Sequence, residues 1–305
     1  MEYLQKQSNG GVLFIICACF FWGTSGTAFT FFNPEGSQPA IIGILRLTVT
    51  ALVLAVVVLL QQKSSQRRPW KFSTIVAAGA MVAANQYCFF NAIDLAGVAL
   101  GTTFFIGSYP IFSGVLGFLI LKEKPSRRWG VSTGVSIVGG TLMTLGSVAV
   151  DGDPVGIFFA LGAAASFSYY AILIKGLLRD HSAASITAVS SAVGVVILSP
   201  LLFVYDVSWI VNDAALVVPL ATYLGVVTYA IPLLLFSKGV TTVPVATAAT
   251  LTLVEPMTAT LLGVVFLHEY LALQSWVGMG LLLVGVLWLS LPVHLLKKSS
   301  RCFTH

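Results

Sequence analysis

Apolar residues fill whole blocks of this chain, and polar and charged residues gather between the blocks. A helix rising ~1.5 Å per residue needs about 20 such residues to cross ~30 Å of hydrocarbon, so each long block predicts a membrane-spanning helix. Ten blocks are visible, at about 11–32, 39–60, 73–94, 98–121, 129–147, 155–174, 184–205, 214–237, 243–267 and 275–294. The links around Ala96 and Thr242 are the shortest. Lys6 and the apolar run behind it have the outline of a signal sequence, but the run continues to Phe32, too long for such a core, and reads as a retained helix. The expected fold is therefore all-α and embedded in the membrane. Composition agrees: of 305 residues 57% are hydrophobic and 9% charged, against roughly 25% charged in soluble domains.

The chain also repeats. A gapless shift of 146 residues aligns Phe21 with Phe167, Gly79 with Gly225, Phe90 with Phe236, Pro110 with Pro256, Gly117 with Gly263, Glu123 with Glu269, Gly134 with Gly280 and Gly139 with Gly285. Two units are expected, 1–150 and 151–305, with five helices in each.

An odd number of helices per unit means that the second unit enters the membrane from the opposite side. The termini and the links after blocks 2, 4, 6 and 8 hold Lys6, Lys63, Arg67, Arg68, Lys71, Lys122, Lys124, Arg127, Arg128, Lys175, Arg179, Lys238, Lys297, Lys298 and Arg301. The remaining links hold Glu35, Asp151, Asp153, Asp206, Asp213 and Glu269. The positive-inside rule then puts both termini in the cytoplasm, and the net charge of +5 becomes a topology signal with no nucleic-acid partner implied. Under the same shift the basic link 122–128 falls on 268–274, which has no Lys or Arg, and acidic 33–37 falls on a segment with Arg179. A repeat kept while its charge sign flips is what inverted topology requires, and such repeats are typical of secondary transporters, with sites near the midplane between the halves.

Two tandem five-helix units, Trp22-Gly23 in the first helix, Arg46 in the second, and the paired runs YPIFSGVLGFLILKEK and EPMTATLLGVVFLHEY resemble the EamA-type branch of the drug/metabolite transporter superfamily. The spacing P-x6-G-x5-E occurs in both runs, as Pro110, Gly117, Glu123 and as Pro256, Gly263, Glu269. The resemblance implies a multi-pass protein of the inner (cytoplasmic) membrane that exports or exchanges small metabolites, amino acids or drugs by alternating access around a central cavity. It implies no cofactor. Two departures matter. Ser168-Tyr169 stands where the first half has Trp22-Gly23, and the first helix has no acidic residue, so the antiport glutamate of small multidrug transporters has no counterpart there.

Two charged side chains lie well inside the blocks, Arg46 and Glu255. Each costs at least ~2.5–3.5 kcal/mol unpaired at a helix centre and should face protein or water. Glu255 sits ~18 Å of helix from either end of its block and is out of reach of the headgroups. Pro256 is expected to free the Thr252 carbonyl beside it, as Pro110 frees that of Ile106, and matched interruptions in two repeats point to a binding site. Glu255 reads as a proton carrier or as the counter-charge of a substrate amine; the structural alternative is an anchor for a polar neighbour. Arg46, about seven residues inside its helix end, suits snorkelling, an ion pair with Glu255 or anion recognition.

Asn85, Gln86 and Asn91 crowd one stretch of the third helix, ANQYCFFN, and suit either substrate or interhelical hydrogen bonds. Trp22, Tyr109, Tyr169, Tyr170 and Tyr229 are candidates for aromatic cavity walls, with plain packing as the alternative. Gly97/Gly101 and Gly130/Gly134 have the spacing that lets helices approach closely, within one chain or in a homodimer.

Other classes fit poorly. Gly23-Thr24-Ser25-Gly26 has the look of an intramembrane protease nucleophile, but His181, His268, His294 and His305 all lie outside the blocks. Cys17, Cys19, Cys88 and Cys302 lack zinc spacing, so no metal is expected, and no phosphate-binding loop is present to couple ATP. The expected partners are a small-molecule substrate, membrane lipid and protons, with the chain a monomer or homodimer. The functional expectation is a secondary exporter of a small polar or amphipathic metabolite. An uncoupled exchanger is the alternative and an intramembrane enzyme the remote one.

Overall fold

A computed structural model describes residues 9–32, 34, 36–60, 69–145, 153–266 and 272–290. Glu35, Asp151, Glu269, Cys302, the basic residues at 6, 63, 67, 68, 297, 298 and 301, and the histidines at 268, 294 and 305 lie outside the described residues.

The apolar blocks are helices, since a chain in hydrocarbon must satisfy its backbone N–H and C=O groups within the segment. In order they are α1 (Asn9–Phe32), α2 (Pro39–Leu60), α3 (Phe72–Leu121), α4 (Arg127–Leu145), α5 (Pro154–Leu177) and α6 (Ala183–Leu198), the last continued by a 3-10 turn, Ser199–Phe203. The short α7 (Ser208–Asn212) leads into α8 (Ala214–Thr222), which runs through a π-helical stretch, Tyr223–Ala230, into α9 (Ile231–Val240). α10 (Val245–Leu251), α11 (Val254–Phe266) and α12 (Leu273–Ser290) follow. Eight segments of the described residues are long and apolar enough to cross a membrane, and α1 adds the apolar stretch Gly10–Ser25. This is a multi-pass, all-α membrane protein.

The blocks expected at 73–94 and 98–121 are two helical spans of α3, Phe72–Gly97 and Leu100–Leu121, and the chain turns between them at Gly97 (φ 80°, ψ 158°), a backbone that favours glycine. The matching link between α9 and α10 turns at Pro244, in extended conformation (φ −57°, ψ 144°).

Glycines set the closest helix approaches, and of the four that spacing suggested only Gly101 makes one. A Cβ at Gly130 or Gly134 would meet nothing within 4 Å, whereas one at Gly101 would meet the backbone of Ala92 in the span before the Gly97 turn. Spacing alone does not say which way a small residue faces. The other close contacts are elsewhere, and that of α4 with α12 reciprocates under the 146-residue shift. Gly139 of α4 backs onto Gly278 and Leu282 of α12, while Gly285 of α12 backs onto Ser132 and Ser136 of α4. The shift carries Gly139 to Gly285, Ser132 to Gly278 and Ser136 to Leu282, so this contact maps onto itself. The two helices are antiparallel: Ser275 Oγ donates to Met143 O at 2.9 Å, and at the other end Arg128 Nε donates to Trp288 O at 2.8 Å. Gly225 meets Val49 and the Arg46 carbonyl on α2, and its counterpart Gly79 meets Val193 and the Ser190 carbonyl on α6, the matching helix but two residues out of the 146-residue register.

Candidate functional site

The second-half interruption is real and tight. α10 ends at Leu251 and α11 starts at Val254, so Glu255 occupies the first turn of a helix that begins inside an apolar block. A carboxylate there is favoured by the unpaired N–H groups and dipole of the new N-terminus. The Thr252 carbonyl does not stand free as expected. It accepts the N–H of Glu255 itself at 2.9 Å, because the turn tightens to three-residue bonds, with Leu253 N–H on Thr250 O at 3.2 Å. The tightening draws the Glu255 amide away from Leu251 O, which instead lies 3.6 Å from the Cys19 thiol on α1.

α1 is pressed onto this turn. A Cβ at Gly23 would lie 2.9 Å from the Glu255 carbonyl and 2.7 Å from Thr258 Cβ, so only glycine lets the α1 backbone sit there. Trp22 beside it is buried against Phe167 and Phe236, with ring centroids 6.1 and 5.7 Å away.

The first half departs from the expected matched break. Helical φ/ψ runs unbroken through Pro110, because a lone proline removes one hydrogen bond and the helix bends on past it. What the 146-residue shift does match is the residue before each proline, Tyr109 with Glu255. Tyr109 is buried, packs on Phe105 and Phe167, and lies within electrostatic reach of Glu255, and its hydroxyl has no hydrogen-bond partner. Ser168 of α5 donates to the Tyr109 carbonyl at 3.3 Å, where α1 offers Gly23 to the Glu255 carbonyl. Near this junction Pro256, Leu253, Ile106, Gly107 and the hydroxyl-bearing Thr102, Thr103 and Thr141 line a small cleft.

Arg46 turns inward and does not reach for the headgroups. Its Nη2 donates to Thr228 O at 2.6 Å and its guanidinium lies 4.5 Å from the centre of the Tyr229 ring. The reason is Pro232, which has no N–H for the carbonyl four residues back; the π-helical stretch offers that carbonyl to α2. Thr50 fixes the approach by donating to Gly225 O at 2.7 Å. Arg46 and Glu255 sense each other electrostatically, but the contact ion pair that was one of the readings of Arg46 is not formed; among the described residues Lys175 pairs with Glu123.

The amides divide. Asn85 Nδ2 donates to Ala163 O of α5 at 3.1 Å, an interhelical bond, and Asn91 Nδ2 donates to Tyr87 O of its own helix at 2.7 Å. Gln86 is buried beside Tyr229 with its Oε1 unpaired, in space left by Gly43 of α2. Tyr170 is a packing residue whose hydroxyl lies 3.3 Å from Ser190 Oγ, and Tyr169 is half-buried. His181, the described histidine, stacks on Trp70 at 3.7 Å in the link before α6.

Several participants escaped the sequence reading. Phe167 touches Trp22, Phe105, Tyr109, Tyr170 and Phe236, and both it and Phe236 were visible only as matches in the repeat. Thr228 was signalled by Pro232 one turn later.

A model of the EamA-like transporter family matches residues 9–145 and again 154–291. A Bacillus subtilis (strain 168) protein named "Uncharacterized transporter YwfM" is 36% identical over 280 residues, covering 91% of this chain and 93% of that one. "Protein RarD" of Streptomyces exfoliatus is 24% identical over 286 residues, 91% of this chain and 87% of its own. A crystal structure superposes with a TM-score of 0.76 at 18% identity, over 91% of this chain and 95% of that one, a likeness of fold alone. This chain belongs to the EamA-like transporter family.

Proposed function

We propose that the chain exports a small polar or amphipathic metabolite across the cytoplasmic membrane by alternating access, with Glu255 as the group that couples substrate to protons. The observation that carries this reading is an acid in the first turn of a helix restarted inside the membrane, on the seam where α1 meets α11, with an inward-held arginine in electrostatic reach. An anion and a cation held apart, with aromatic walls between the halves, suit a zwitterionic or amphipathic solute. Units 1–150 and 151–305 are then inverted copies that rock against each other, and both termini are cytoplasmic. The self-mapping contact of antiparallel α4 and α12 supports that division.

Overproduction in an export-deficient strain exposed to amino-acid derivatives and amphipathic drugs tests the reading: external accumulation of at least one compound is expected, and its collapse when the pH gradient is dissipated. Counterflow in proteoliposomes with no response to the gradient would instead identify an exchanger, and no flux of any compound would remove transport itself.

The unpaired Gln86 Oε1 and Tyr109 hydroxyl serve as substrate contacts in this reading, and that has a measurable signature. A buried polar group without a partner costs ~1–3 kcal/mol, so Tyr109→Phe and Gln86→Leu are expected to raise the thermal midpoint by about 2–12 °C while weakening substrate binding roughly tenfold. Packing residues would lose stability and keep affinity.

A further inference from the structure

Glu123 closes the first P-x6-G-x5-E run and takes no part in the site above. The chain reverses at Lys122, in a left-handed conformation (φ 58°), and the Glu123 N–H bonds Gly117 O at 3.1 Å, which turns the carboxylate back over the bundle. A Cβ at Gly117 would lie 3.5 Å from Glu123 Oε2. Glu123 Oε1 accepts from Lys175 Nζ at 2.7 Å, and Oε2 accepts the N–H of Val245, in the first turn of α10, at 2.9 Å. Lys175 Nζ also donates to Val243 O at 3.1 Å. Four groups thus tie the end of α3 and the last turn of α5 to the start of α10, at the end of the bundle that bears the basic links. Both side chains are mostly covered, 17% exposed for Glu123 and 15% for Lys175.

The 146-residue shift carries Glu123 to Glu269 but sets Lys175 on Phe29, which has no charge, so the sequence supplies this cation at one end of the molecule only. A covered ion pair is also poised to open. Its Coulomb gain is largely offset by desolvation, and both charges regain water when the helices part.

We propose that Glu123 and Lys175 form a latch that shuts the basic-link end of the pathway, and that its release frees α10, and with it Glu255, to face that side. The proposal rests on the transporter reading for what passes through, but the gate itself can be read without a substrate. Ala249, one turn below Val245 on the same face of α10, is fully covered and packs with Tyr109 and Ala164. With Cys17, Cys19, Cys88 and Cys302 replaced by alanine, Ala249→Cys becomes a reporter. A charged, membrane-impermeant methanethiosulfonate is applied to the face on which a Lys124→Cys control reacts.

Glu123→Gln and Lys175→Met are each expected to speed labelling of the reporter by about tenfold or more, within the common range of conformational coupling. If an unpaired charge prevents folding in a single variant, Glu123→Gln/Lys175→Met removes both and is expected to label fastest. Labelling unchanged in the folded variants, whatever their thermal stability, would make the pair a static strut and overturn the latch. Flux with unchanged labelling thus sinks the latch alone, and faster labelling without flux sinks the transporter reading alone.

Discussion

Glu255→Gln is expected to abolish concentrative export, a loss of about 100-fold or more, equivalent to ~2.7 kcal/mol, while leaving the protein folded. Glutamine keeps the shape of the protonated acid and cannot release a proton. Counterflow then separates the two roles that Glu255 can play. If the carboxyl shuttles a proton, substrate exchange in proteoliposomes persists and only its response to the pH gradient disappears. If the carboxylate holds a substrate cation, exchange falls with export. Unchanged export and an unchanged pH response would remove Glu255 from the mechanism.

Arg46 gives this result a second dimension. Its bonds go to Thr228 O and the Tyr229 ring, so its charge acts on Glu255 through space and not by contact. Two such charges still interact without contact, because a protein environment screens the field less than bulk water does. A double-mutant cycle on transport with Glu255→Gln and Arg46→Met is expected to show a coupling of ~0.5–3 kcal/mol. Additive losses would assign the two residues to separate tasks.

How much of this could be read from the sequence depends on whether a feature is set by one residue type or by the company it keeps. Helices, links and membrane setting follow from apolar block length alone, since lipid forces every block to close its own hydrogen bonds. Gly97 was visible beside a short link and as half of a close-approach pair, and glycine supplies the backbone conformation found there. Glu255 stood out because an acid deep in an apolar block is rare for a physical reason. The fate of the Thr252 carbonyl was not legible: proline removes one donor, but whether the carbonyl stays free depends on how the turn relaxes, and here it takes the Glu255 N–H. Pro110 and Pro256 look alike in sequence, yet only the second sits beside a helix break. The amides show the same limit, for Asn85 and Gln86 are neighbours in the chain and yet one is bonded to α5 while the other keeps an unpaired oxygen.

The glycines bring this limit to its largest structural consequence. Gly134→Ala and Gly278→Ala are the same chemical change in two helices that pack together, and they are expected to act in opposite directions. At Gly134 the new methyl enters open space, and replacing glycine in a helix gains ~0.5–1 kcal/mol from reduced backbone freedom. At Gly278 it would lie 2.5 Å from both Gly139 O and Met143 N, backbone atoms that no side-chain rotation can move aside. α4 and α12 must then separate, and a gap of 0.5–1 Å forfeits a quarter to a half of each dispersion contact along the seam. The expected cost is ~1–3 kcal/mol, a fall of about 2–12 °C in the thermal midpoint of the solubilised protein. Gly139→Ala meets Gly278 O at 2.6 Å across the same contact, so the double variant should cost less than the two singles together. At Gly285 the nearest obstacle is Ser136 Oγ, a side-chain atom, and Ser136→Ala should therefore recover part of the stability lost in Gly285→Ala. Equal midpoints for Gly134→Ala and Gly278→Ala would mean that α4 and α12 do not meet backbone to backbone, and the self-mapping contact that supports inverted halves would go with it.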